Sequence, residues 1–174
     1  NVEVEGSLAS YTPDENYNGD DSFTFTVNDG FLTSIGTVTL SILEVNDPPV
    51  LMNISNINFN ENEYGQLSVL ANDIDGDELS YSITGGNEIS AILIDNEISF
   101  TTSLDFNGSE IFIISVSDGE YSDSQSITVT VLPVNDAPVA TTGLSGITSE
   151  DQNTVVLLSG SDIDGDALTF SLAT

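Results

Sequence analysis

An offset of 89 residues carries this chain onto itself without a gap. Asn18-Gly19 falls on Asn107-Gly108, Phe23 on Phe112, Asp29-Gly30 on Asp118-Gly119 and Val45-Asn46-Asp47 on Val134-Asn135-Asp136. Pro49-Val50 falls on Pro138-Val139, Glu61 on Glu150 and Leu79 on Leu168. The densest match is Asp73-Ile74-Asp75-Gly76-Asp77, which returns as Asp162-Ile163-Asp164-Gly165-Asp166. One offset held over so many positions marks a tandem array.

Proline stiffens a linker and cannot continue a central strand, so the proline-bearing stretches at Asp47 and Asp136 read as the joints. They divide the chain into the C-terminal half of a module (1–46), a complete module (47–135) and the N-terminal half of a further one (136–174). Asn1 aligns with Ser90 and Thr174 with Gly85, so the two halves complement one another except for positions 86–89. The chain is then either a window on a long array or a subunit that polymerises by strand complementation between chains. The first reading is favoured. No signal peptide is present and Asn1 opens inside a strand-like run, so the chain reads as a piece of something longer.

Within 47–135 the apolar residues come in short alternating runs. Gln66–Ala71, Glu78–Thr84, Ala91–Ile94, Glu97–Thr102, Glu110–Ser117 and Ser124–Leu132 are candidate strands, with an opening strand between Val50 and Phe59. Ser-Ile-Thr-Val-Thr-Val at 126–131 and Ser-Phe-Thr-Phe-Thr-Val at 22–27 have the period of a strand with one buried face. Asn-Gly and Asp-Gly pairs supply turns, and Asp29-Gly30 and Asp118-Gly119 belong to hairpins rather than to a ligand set. About seven short strands in under 100 residues predict an all-β fold of Ig-like Greek-key β-sandwich modules.

The charge is one-sided: 29 acidic residues, no Lys, Arg or His, and a net charge of −29. Such a chain has no cationic side chain with which to neutralise phosphate, which excludes a nucleic-acid partner, and it is unsuited to an anionic membrane surface. No apolar run approaches the roughly 20 residues of a spanning helix. With no Cys there are neither disulfides nor thiolate metal sites. The nucleophile–base pairs of hydrolases are absent with His, Cys and Lys, so an enzyme is not expected. An acidic surface that merely keeps the protein soluble would not recur in register.

Alternating carboxylates on a glycine turn are the donor set of a hard cation, and Ca²⁺ is the common one. In both Asp-x-Asp-Gly-Asp copies the odd positions project carboxylates to one side, and Gly76 lets Asp77 fold back toward the same ion. An EF-hand is excluded because loop position twelve is Thr84 and not Glu. The short glycine-rich periods of calcium-binding β-helices are absent. Weak sites fill only where calcium is abundant, at affinities on the order of 10⁻⁴–10⁻³ M, which points to an extracellular or cell-surface location.

On these residues the chain resembles a cadherin-like repeat, of the kind found in tandem in large bacterial surface proteins. Glu61-Asn62-Glu63-Tyr64-Gly65 is similar to the family's Glu at the end of the first strand, with Glu150 its copy. Asp73/Asp75 and Asp162/Asp164 match the Asp-x-Asp pair. Leu104-Asp105-Phe106-Asn107 resembles the Leu-Asp-x-Glu motif, with Asn16 and Asn18 in the equivalent places of the first module. Glu44-Val45-Asn46-Asp47 and Pro133-Val134-Asn135-Asp136 are similar to the Asp-x-Asn-Asp-Asn linker. The resemblance implies calcium at the junctions between modules. Asn107 and Asn18 stand where the family has Glu, Pro133 replaces an acid, and both linkers lack the last Asn. One or two ions per joint are therefore expected, with Asp77 and Asp166 restoring part of the charge. The 132–136 joint is expected to gather Glu61, Asp105, Asn135, Asp136, Asp162 and Asp164. The 43–47 joint is expected to gather Glu44, Asn46, Asp47, Asp73 and Asp75, completed by Asn16 or Asn18.

The function so implied is a Ca²⁺-rigidified stalk, adhesin extender or filament on a microbial surface, whose partner is itself through adjacent modules. The alternatives are an adhesive module with a glycan or cell-surface partner, and the polymerising subunit already named.

Overall fold

The computed structural model describes residues 1–173, so the alignment expected at Thr174 lies outside the described residues. Every regular element among them is a strand. Residues 1–46 hold β1 (Val2–Glu5), β2 (Leu8–Tyr11), β3 (Gly19–Asn28) and β4 (Thr33–Ile42). The central stretch holds β5 (Val50–Leu51), β6 (Ile57–Asn60), β7 (Gly65–Ser68), β8 (Ala71–Asn72), β9 (Ser80–Gly85), β10 (Ile89–Ile94), β11 (Glu97–Thr102), β12 (Gly108–Ser117) and β13 (Ser122–Leu132). After it come only β14 (Val139–Ala140) and β15 (Gly160–Ser161).

The central strands form a four-stranded sheet in the order β6-β13-β12-β9 and a three-stranded sheet in the order β10-β11-β7. Their apolar faces meet. Phe100 on β11 and Phe112 on β12 pack edge to face with ring centroids 5.2 Å apart, a favoured aromatic geometry. Phe112, Ile114 and Val116 alternate inward on β12, as Ile127, Val129 and Val131 do on β13, and all are buried. This is the Ig-like β-sandwich read from the alternation.

Two expected strands are each broken in two. The opening strand runs as β5 and β6, and Gln66–Ala71 runs as β7 and β8. β5 pairs with β8, whereas β6 pairs with β13 and β7 with β11, so each segment changes partner midway. Strands that switch partners bend between the two pairings, and the bend interrupts the ladder. Side chains hold the gap that opens: the Ile54 N–H donates to Gln125 Oε1 at 3.0 Å, and Asn56 Oδ1 accepts from Thr128 N–H at 2.8 Å.

The chain divides into two compact units. One comprises Asn1–Met52, Leu70–Ser80 and Ser115–Ser124, and the other Asn53–Val69, Tyr81–Ile114 and the residues from Gln125 on. The first holds the hairpins β1-β2 and β3-β4 and the β5-β8 pair. The second holds the three-stranded sheet, most of the four-stranded one and the β14-β15 pair. Residues 141–159, which align with 52–70, contain no strand. β6 and β7 owe their extended form to hydrogen bonds from β13 and β11, and 146–157 have no such partner among the described residues.

Candidate metal centre

The first acidic loop follows β8. Asp73 Oδ1 accepts the backbone N–H groups of Asp75 and Gly76 at 3.0 Å and of Asp77 at 3.3 Å. Such a side-chain-to-backbone turn is what Asp favours, and Gly76 at φ 81° closes it without strain. The loop brings the carboxylates of Asp73, Asp75 and Asp77 within 4.8 Å of one another. Burial, then the charges of Asp73, Asp75 and Asp118, push the Asp77 carboxyl above the ordinary range. Asp73 Oδ2 is buried without a hydrogen-bond partner.

The linker folds back on this loop. The Asp47 N–H donates to Asp75 Oδ2 at 2.7 Å, and Asn46 Nδ2 donates to Asp118 Oδ2 at 2.9 Å. Beside it lies a cavity of about 260 Å³ lined by Asp14, Asn16, Asn18, Glu44, Asp47 and Asp75, among others. Of the set expected at the 43–47 joint, these last five line one space. Asp73 instead faces Asp77, and Asn46 turns its amide toward Asp118.

The second site repeats the plan. The Asp136 N–H donates to Asp164 Oδ2 at 2.7 Å, and Asp162 Oδ1 accepts from the N–H groups of Asp164 and Asp166 at 3.1 Å each. Glu61 adds a carboxylate from the end of β6. It is only 2% exposed, its Oε1 accepts the Val134 N–H, and Asn107 Nδ2 lies 3.5 Å from its Oε2. Glu61, Asp136 and Asp164 lie within 4.8 Å of one another. Burial, then Asp105, Asp164, Glu61 and Asp162 in that order, raise the Asp136 carboxyl. Its Oδ2 is buried and unpartnered.

Asp105 is held beside this cluster by an exchange with Asn62: Asn62 Nδ2 donates to Asp105 Oδ1 and Asp105 N–H to Asn62 Oδ1, both at 3.1 Å. Asn135 spends its amide on the Asp136 carbonyl at 3.0 Å. Asp166 enters only through its backbone N–H. Asp14, Asn62 and Asp118 were not anticipated. Asp118 was read as a turn residue, and it is one, since its Oδ1 accepts Glu120 and Tyr121 N–H. Its second oxygen meets Asn46, 72 residues away, which no local pattern announces.

Crowded carboxylates with no cationic side chain to pair with are costly, and a buried oxygen without a partner adds to that cost. At an effective dielectric near 20, two like charges 4 Å apart repel by about 4 kcal/mol. The donor set is all oxygen, which fits a hard divalent cation.

A profile described as bacterial Ig domain matches residues 1–41 and 46–130. Protocadherin Fat 1 of Homo sapiens is 30% identical over 163 residues, covering 77% of this chain and 3% of that protein. The human protocadherin-24 EC1-2 structure (form II) is 24% identical over 68% of this chain and 63% of that one, at a TM-score of 0.48. An endo-fucoidan hydrolase of glycoside hydrolase family 107 is 20% identical over 75% of this chain and 22% of that one, at a TM-score of 0.39. At such scores neither structural likeness carries an argument, and the hydrolase activity stays with that enzyme. The chain spans a small fraction of the curated relative it matches. With a profile running on both sides of the first linker over strands paired as above, the chain belongs to the bacterial Ig domain family, in its cadherin-like form.

Proposed function

We propose that the chain is a non-catalytic structural extender on a microbial surface: Ig-like modules with boundaries at 46/47 and 135/136, whose joints are stiffened by Ca²⁺ in the extracellular medium. One observation carries this reading. The same linker-to-loop contact, Asp47 N–H to Asp75 and Asp136 N–H to Asp164, recurs at 2.7 Å in the two joints, each beside a cluster holding a buried aspartate oxygen without a partner.

Glu61, Asp136 and Asp164, with Asp105 and Asp162 beside them, would hold calcium at the second joint. Asp73, Asp75 and Asp77 would do so at the first, with Glu44, Asp47, Asn16 and Asn18 around the neighbouring cavity. Asn107 supports Glu61, and Asn46, Asn135 and Asp166 serve as linker and loop supports. Calcium supplies the positive charge that the chain lacks. The residues do the rest: linker and loop carboxylates repel until neutralised, and linker N–H groups already fix Asp75 and Asp164 in place. Stiffness, more than the fold of each module, is what the ion controls.

Small-angle scattering tests it. In calcium the chain should scatter as a rod, and chelation should turn it into a flexible string while the β-sheet circular dichroism stays. A rod that survives thorough chelation would refute the reading.

A further inference from the structure

Strand β10 is the outer strand of its sheet, whose order is β10-β11-β7. Its sequence, Ile-Ser-Ala-Ile-Leu-Ile at 89–94, holds no charged residue and no proline, in a chain with 29 acidic residues. Charge and proline are what keep a further strand from adding to a free edge, and β10 has neither. Ile92 and Ile94 point away from the core and are 58% and 68% exposed. They stand opposite Ser99 and Glu97 on β11.

The first copy of the repeat carries the guarded version. β1 pairs with β2 in the same register, Glu3 opposite Ser10 and Glu5 opposite Leu8, so Glu3 and Glu5 hold the places of Ile92 and Ile94. The fold accepts carboxylates at both positions, and packing does not require isoleucine at either. β10 is also held firmly in place. Ile89 on β10 and Ile98 and Phe100 on β11 are buried on the opposite face, and Glu110 accepts the N–H groups of Asn87, Glu88 and Ile89 where β10 begins. An edge already extended has little left to order when a strand adds to it.

Charge selects the strand that fits. Glu88 lies just before β10 and Asp95 just after it, with Glu97 beside Ile94, and all three are exposed. The chain has no cationic side chain to answer them. A second copy laid antiparallel on β10 would bring Glu88 of each copy beside Asp95 of the other, and like charges so placed are destabilising. We infer that the β10 edge receives an extended segment of another protein, apolar at two positions two residues apart and carrying Lys or Arg at both ends. The apolar pair covers Ile92 and Ile94, main-chain groups extend the sheet, and the cations meet Glu88 at one end and Asp95 and Glu97 at the other. None of these residues belongs to either acidic cluster, so the docking is independent of calcium.

The probe is the labelled synthetic peptide Lys-Val-Thr-Val-Thr-Thr-Thr-Lys, titrated onto the full chain in chelator and followed by fluorescence anisotropy. Laid antiparallel, its valines fall opposite Ile94 and Ile92 and its lysines opposite Asp95 and Glu88. Binding should saturate, weaken as salt is raised, and slow hydrogen exchange of the amides in 89–94. The double variant Ile92→Glu/Ile94→Glu places the β1 residues on β10. It should melt with the parent and bind the peptide at least about tenfold more weakly. Two added carboxylates strengthen any unspecific pull on a cationic peptide, so a loss of binding marks the edge itself. Prolines at the peptide's third and fourth residues, which remove main-chain donors, or Glu in place of both lysines, should abolish binding. The proposal is overturned if the peptide does not bind, if the double variant or the proline peptide binds as tightly, or if the chain alone self-associates in a way the double variant abolishes. Loss or survival of the rod on chelation bears on the calcium reading alone.

Discussion

The Asp136 backbone N–H donates to the Asp164 carboxylate at 2.7 Å, while the Asp136 side chain holds a buried oxygen with no partner. The linker is therefore tied to the loop by its backbone and pushed by its side chain. Asp136→Asn removes the push and keeps the tie. Without metal the variant should melt no lower than the parent. In calcium it should lose most of the parent's gain in Tm, with affinity at that joint down by at least about tenfold. Calorimetric titration and paired melts check both halves.

Glu61 is the one buried charged side chain among the described residues, and it receives the Val134 N–H. Glu61→Ala leaves that N–H without its acceptor and should cost about 1–3 kcal/mol in denaturant unfolding. Glu61→Gln keeps an oxygen for Val134 and should recover most of that stability while still losing calcium response. A Gln variant as unstable as the Ala variant would mean that charge, not the hydrogen bond, anchors the linker.

Glu110 accepts three backbone N–H groups, from Asn87 at 2.8 Å and from Glu88 and Ile89 at 3.0 Å. Those bonds, Glu88 first, hold its carboxyl below the ordinary range. A lowered folded-state value stabilises the fold above the unfolded-state pKa, and that contribution disappears as pH falls through the folded value. Stability should therefore decline on acidification below the ordinary Glu range, and Glu110→Gln should flatten that decline. Denaturant midpoints measured against pH for the two proteins decide it.

Tyr11 donates its hydroxyl to Asp21 at 2.5 Å, and this bond, then burial, pushes its phenol up from 10.0 to about 12. The stabilisation is complete below pH 10 and lost as pH rises through about 12. Near-ultraviolet phenolate absorbance should show the Tyr11 phenol titrating late. Asp21→Asn should bring it back toward 10.0.

Gly86 sits at φ 75°, and a Cβ there would lie 2.5 Å from the Phe112 ring and against the Ile89 carbonyl. Gly86→Ala combines a left-handed backbone with overpacking and should cost about 1–3 kcal/mol. Because the groups this Cβ would meet, the Ile89 carbonyl and the Phe112 ring, belong to neither acidic loop, calcium should raise the melting temperature of this variant as much as that of the parent.

The strands could be read from the chain because their causes are local. Glu97–Thr102 alternates and is bounded by turn residues, and it is a strand over the residues expected. The Asp-x-Asp-Gly-Asp loops were equally legible, since Asp73 and Asp162 make their turns with residues two to four positions on. The breaks at 52–56 and 69–70 were not, because they arise where a strand exchanges one partner for another, and nothing within the strand records its partner. Val155 and Leu157, in the counterpart of β7, likewise lie outside any strand.

Sequence alone determined the period, the all-β class and which carboxylates share a turn, because hydrophobic alternation and Asx turns depend on neighbours a few residues apart. Only the tertiary structure decided that Glu61 reaches Val134, that Asp118 meets Asn46 and that Asp136 is crowded by four other carboxylates. Those relations join positions 26 or more residues apart, and the chain reaches them only when packing closes the intervening loops. Burial then sets how strongly the charges act, since it removes the water that would otherwise screen them.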